Sequence, residues 1–184
     1  MRSSHLVPVV METALGTIEL EINTGAAPIT AANFLSHVDQ GLYDNGAFHR
    51  TVTLENQRDL KAATSNSDVV IEVIQGGIDP AKLPGDLQPI PLERTKDTGL
   101  LHTDGAISMG RSTADSAIEQ FFICIGDQPG LDYGAQRNPD GQGFAAFGYV
   151  TRGMDIVRAI QQSPHEGQRL TPPVVIKKVY RTED

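Results

Sequence analysis

Polar and apolar residues alternate strictly near the start of the chain, where Ile18, Leu20 and Ile22 are separated by Glu19 and Glu21. That is the period-two pattern of a strand with one buried face. Val9–Thr13 lies just across the Ala14-Leu15-Gly16 turn, so the two runs are expected to pair as a hairpin. Further short β-like runs follow at Phe48–Val52, Val69–Gln75, Ala106–Met109, Gln120–Ile125, Ala146–Val150 and Val174–Arg181. The period changes twice. Within Ala31–Gln40, Phe34, Leu35 and Val38 share one helical face, with Thr30 the expected N-cap and Gly41 the stop. Between Gly153 and Gln161, Met154, Val157 and Ile160 recur at helical spacing.

About eight strands and two helices far apart in sequence do not fit an α/β sheet, which needs a helix at each crossover. They predict a mainly β fold, a closed eight-stranded antiparallel β-barrel capped by two α-helices. Three stretches resist strand assignment: residues 54–68, which are polar, residues 78–98, which hold four prolines, and residues 126–143, rich in Gly, Asp and Asn. Connections this long in a compact domain commonly carry function or mobility. Residues 1–8 read as an N-terminal extension, native or left by cloning, and residues 9–184 as a single domain.

Composition narrows the chemistry mainly by exclusion. The 184 residues hold 15 Lys+Arg against 23 Asp+Glu, a net charge of −8, which argues against nucleic acid as a partner. No apolar stretch reaches membrane-spanning length, and no membrane partner is expected. The chain as written shows no secretory leader, so a cytoplasmic location is expected, or a periplasmic one if a leader was removed. Cys124 is the sole cysteine, which excludes an intrachain disulfide framework, and it reads as a buried, inert thiol. The five histidines form no His-x-x-x-His pair, and neither a P-loop nor a dinucleotide fingerprint occurs. Asn138-Pro139-Asp140-Gly141 lacks the alternating acids of a calcium loop, and Ser108 and Ser112 lack the context of a hydrolase nucleophile. No metal and no cofactor is expected.

A set of short words in fixed order carries more information than composition. They are Phe48-His49-Arg50, Ile74-Gln75-Gly76-Gly77, Ile107-Ser108-Met109, Gln120-Phe121-Phe122-Ile123, Leu131-Asp132 and Phe147-Gly148-Tyr149-Val150, the last leading into Gly153-Met154-Asp155. Pro28-Ile29-Thr30 through Phe34 and Gly41-Leu42-Tyr43-Asp44 extend the set. Together they resemble the cyclophilin family of peptidyl-prolyl cis-trans isomerases, closest to its bacterial members, over residues 9–181. The resemblance implies an eight-stranded barrel with a helix at each end, as the hydropathy pattern does separately. It implies an isomerase that speeds rotation of X-Pro bonds in unfolded or flexible segments and so assists folding. A weakly active or inactive proline-peptide-binding or chaperone module on the same fold is the alternative. A small-molecule-binding barrel of another family would require the ordered words to be coincidence.

By the same resemblance, Arg50, Gln75 and Phe122 occupy catalytic positions. Val73, Leu131 and Phe144 complete an apolar socket with Phe122, while His49 and Gln120 line or support the groove. Gly110, Arg111 and Ser112 would flank the substrate residues before proline. Strand alternation sends Phe121 and Ile123 the opposite way from Phe122. The chain departs from the family pattern at Glu72, where an aromatic is usual and a carboxylate is now expected near Arg50 or the groove edge. It departs also at Val73 for Met, at Gly130 for an aromatic that is often Trp, at Phe144 for His or Tyr, and in a polar insertion between Arg50 and Gln75. Loss of the indole at Gly130 implies weak cyclosporin binding. X-Pro peptides and unfolded chains are the expected partners of a monomer.

Overall fold

A computed structural model describes residues 5–58 and 69–182. Its strands are β1 (Leu6–Thr13), β2 (Gly16–Asn23), β3 (Gly46–Val52), β4 (Val73–Gly77), β5 (Ala106–Met109), β6 (Phe121–Cys124), β7 (Ala146–Arg152), β8 (His165–Glu166) and β9 (Arg169–Arg181). Eight of them pair antiparallel in the order β1-β2-β7-β5-β6-β4-β3-β9, and β9 returns to β1 to close the barrel. Two-residue β8 only folds back on the start of β9. Two helices of more than one or two turns cap this barrel: α1 (Pro28–Asp39) and, further along the chain, α4 (Met154–Gln161), separated by the short turns α2 (Leu54–Arg58) and α3 (Thr95–Thr98).

Period two decides what lies inside. Ile18, Leu20 and Ile22 of β2 and Phe121 and Ile123 of β6 are all buried in one large interior cluster. Phe121 is its aromatic hub, within 6 Å of the Phe34, Tyr43 and Phe48 ring centroids, so α1 is plugged into the barrel end through Phe34. Phe122 and Cys124, the alternate residues of β6, join Val52, Val73 and Ala106 of β3, β4 and β5 and the loop residues Ile71 and Leu131 in a second, smaller cluster on the outer surface. Burial there pushes the Cys124 thiol well up, consistent with an inert side chain.

The structure corrects several boundaries. β1 starts at Leu6, so residues 6–8 belong to the barrel. Thr30 is not the N-cap of α1. The helix begins at Pro28, and both the N–H and hydroxyl of Thr30 donate to Glu93 Oε1 at 2.6 Å, a carboxylate brought to the helix N-terminus from a distant segment. The strand expected at Val69–Gln75 is displaced to Val73–Gly77, because β3 ends at Val52 opposite Val73 and offers residues 69–72 no ladder. Glycine is required at position 76 of β4, because a Cβ there would meet the Ala47 carbonyl oxygen at 2.8 Å. Of the polar stretch 54–68, the first five residues form α2 and residues 59–68 lie outside the described residues.

Phe121→Ala is expected to lower stability by about 3–5 kcal/mol in urea unfolding, since it empties the centre of the aromatic plug. A loss under 1 kcal/mol would mean that the plug does not hold α1 to the barrel.

Candidate active site

The outer cluster floors a groove of about 380 Å³ lined by Arg50, Ile71, Val73, Gln75, Gly110, Arg111, Ser112, Phe122, Leu131, Arg137, Asn138, Pro139 and Phe144. A register slip on β3 builds one wall. Arg50 pairs with Gln75 and Phe48 with Gly76, leaving His49 as the extra residue of a bulge. The bulge places Arg50 directly opposite Gln75, and Arg50 Nη1 donates to Gln75 Oε1 at 2.9 Å. Gln75 Nε2 in turn donates to Gln120 Oε1 at 2.6 Å, which fixes which way the Gln75 amide faces. On the other flank Arg50 pairs with Arg169, so Gln168 in the β8–β9 turn reaches the guanidinium and accepts from both Nε and Nη2, at 3.0 and 2.8 Å.

Arg50 is thus held by two neutral amides and pairs with no carboxylate among the described residues. Three of its five N–H groups are engaged, and one on each terminal nitrogen is left. Burial and the neighbouring Arg137 charge lower its proton affinity, but a guanidinium stays charged in proteins. The cation keeps its full field beside an apolar socket.

Phe122 is fixed from both sides. The Phe144 ring meets it edge-on at 5.6 Å, and the His102 ring stacks on it at 5.9 Å with planes 15° apart. His102 is itself locked, with Nδ1 2.7 Å from Asp132 Oδ1 and Nε2 2.8 Å from Ser108 Oγ. Serine, histidine and aspartate therefore stand in hydrolase-like sequence, yet Ser108 is fully buried and no substrate can reach its hydroxyl. The trio orients a ring.

Arg111 is spoken for as well. It makes a bidentate pair with Asp140, donates to the Gly143 carbonyl, and lies 4.8 Å over the Phe144 ring. It therefore pins the loop that carries Phe144, and its guanidinium holds the Asp140 carboxyl below the usual carboxylate range. Asp140 thereby serves to hold the loop through Arg111.

The family described as cyclophilin type peptidyl-prolyl cis-trans isomerase/CLD matches residues 8–181. The chain belongs to the cyclophilins. A peptidyl-prolyl cis-trans isomerase of Streptomyces antibioticus is 35% identical over 156 residues, covering 82% of this chain and 81% of the relative. One from Acinetobacter baylyi is 34% identical, over 84% of this chain and 71% of that protein. In fold, a crystal structure of a Cryptosporidium parvum cyclophilin superposes with a TM-score of 0.74 at 19% identity, covering 97% and 99% of the two chains.

Within this cyclophilin, the expected residues are distributed unevenly. Arg50, Val73, Gln75, Gly110, Arg111, Ser112, Phe122, Leu131 and Phe144 all line the groove. His49 and Gln120 do not. His49 is turned aside by the bulge, where burial and the Arg50 charge lower its pKa, and Gln120 acts from behind Gln75. Glu72 is neither a partner of Arg50 nor a lining residue of the groove, and its Oε1 accepts from Gln161 instead. Gly130 leaves no open hole, because a Cβ there would collide with Val69 Cγ1. The chain returning to β4 packs its Val69 into that space. Sequence reasoning missed Ile71, Arg137, Asn138 and Pro139 on the rim and Gln168 and His102 behind it. Asp132 was quoted and not assigned a role, and the others left no local signature.

Gln168→Ala is expected to lower kcat about tenfold with little change in KM, since hydrogen bonds to charged groups are worth roughly 1.5–3 kcal/mol. Gln168→Glu keeps the position but neutralises Arg50, so its kcat should also fall. Wild-type kcat in both variants would show that the second amide does not orient Arg50.

Proposed function

We propose that Arg50 accelerates X-Pro rotation by donating a hydrogen bond to the prolyl nitrogen of the twisted amide. Resonance gives the peptide C–N bond a rotation barrier of about 18–20 kcal/mol. At an X-Pro bond the two end states are close in energy, so exchange is slow while the equilibrium is nearly balanced. No covalent bond has to break. In the twisted state resonance is lost, and the nitrogen becomes pyramidal with a localised lone pair able to accept a hydrogen bond. A planar amide has no such lone pair, so a donor at this point binds the transition state better than either ground state.

The observation that carries this reading is the suspension of Arg50 between Gln75 and Gln168 at the edge of the Phe122 socket, with N–H groups left over. Neutral acceptors orient the fork without cancelling its charge, and a fixed fork loses little entropy when it donates. The socket of Val73, Phe122, Leu131 and Phe144 suits a pyrrolidine ring. Gly110 lies close to Gln75 Nε2, leaving room for a peptide backbone beside that amide. Flexible, exposed X-Pro segments of other proteins are the substrates this shape favours.

Exchange NMR on an Ala-Pro peptide tests the mechanism. Wild-type protein should catalyse exchange, Arg50→Ala should lose about a hundredfold to a thousandfold, and Arg50→Lys should not restore it, because ammonium cannot hold both glutamines and still donate. Peptide binding without wild-type turnover would favour the proline-peptide-binding module instead. Cyclosporin should bind weakly by calorimetry, because Gly130 offers no indole N–H and Val69 fills its place; tight binding would overturn that.

A further inference from the structure

Arg137 has no place in the mechanism just described. It lies in the loop between Leu131 and β7, is only 7% exposed, and lines the groove alongside Arg50. Its Nη1 donates to the Val69 carbonyl at 2.8 Å and to Gln57 Oε1 at 3.3 Å, both neutral acceptors. Neither Arg137 nor Arg50 belongs to an ion pair among the described residues. Arg111 on the same rim shows what a satisfied groove arginine looks like, with both terminal nitrogens on Asp140.

The contrast is unexpected for this chain. Carboxylates outnumber basic side chains 23 to 15, yet two cations line one groove without a carboxylate partner among the described residues. A guanidinium withdrawn from water without a counter-ion is unfavourable, and two that face each other add repulsion. Burial lowers the proton affinity of both, and Arg137 lowers that of Arg50 further. A ligand that brings one negative charge relieves both penalties at once, whereas a neutral ligand of the same shape buries the cations further and relieves neither.

We infer that Arg137 makes the groove selective for X-Pro segments bearing an anionic side chain, carboxylate or phosphate, next to the proline. This rests on the prolyl-isomerase reading and adds the substrate class to it. Arg137 meets the anion as a specificity residue, and Arg50 remains free to donate to the prolyl nitrogen. The attraction also raises the encounter rate for acidic segments against the overall negative charge of the protein.

The test compares peptides carrying Ala, Gln, Glu or phosphoserine immediately before or immediately after a single proline, with exchange rates read by NMR and affinities by calorimetry. At one of the two positions Glu should exceed Gln about tenfold in kcat/KM. That ratio should shrink as salt is raised from about 0.05 to 0.5 M, because the contact is ionic. In Arg137→Gln the Glu-to-Gln ratio should collapse toward one, and Arg137→Lys should retain part of it. Phosphoserine exceeding Glu would identify phosphate as the preferred anion, and Glu exceeding phosphoserine the carboxylate; either supports the inference. A wild-type ratio near one at both positions, or a ratio untouched by Arg137→Gln in a folded variant, would overturn it. The wild-type salt dependence stands even if the variants do not fold. If no peptide is turned over but Glu still binds more tightly than Gln, the isomerase reading fails while the anion preference survives.

Discussion

Closing β1 against β9 leaves every strand of the ring with one face sealed inside and the other outside, and the rest of the molecule follows from that division. The inner set of side chains is spent on cohesion. Phe121 and its aromatic neighbours tie α1 to the barrel end. The outer set would ordinarily be polar, but on β4, β5 and β6 it is apolar enough to form a second cluster, and that cluster is the floor of the groove. One strand, β6, therefore supplies a core residue and a substrate-facing residue in adjacent positions, and their conformations are coupled through a single peptide bond.

On this rigid floor the polar groups are arranged to hold charge without cancelling it. Arg50 is fixed by amides, Phe122 by a buried histidine, and Phe144 by Arg111, the one of the three groove arginines that has a carboxylate partner among the described residues. The selection is chemical. An aspartate beside Arg50 would hold it as firmly as Gln168 does and would also neutralise its charge.

The fold was legible because its signal is local. The alternation of Ile18, Leu20 and Ile22, and the opposed faces of Phe121 and Phe122, need only neighbouring residues to be read. The site was legible in part: Arg50, Gln75 and Phe122 carry little information singly and became readable only as ordered words along the whole chain. What escaped reading depends on contacts made by the fold. Gln168 lies 118 positions from Arg50, and Glu93 caps α1 from 63 positions away. Glu72 was misplaced because residues 69–72 leave the ladder and the side chain finds Gln161 instead. Arg137 sits in a stretch that composition marks only as turn-forming, and it reaches the groove only because its loop folds back onto the Val69 carbonyl.

The thirteen residues of β9 join two things of different kinds. One end follows Gln168 and sits against Arg50, and the other forms the seam with β1. The same strand closes the container and, through the residue that precedes it, steadies the Arg50 guanidinium. Barrel closure and the geometry around Arg50 thus depend on one continuous strand, so loosening the seam slackens the support that Gln168 gives the guanidinium.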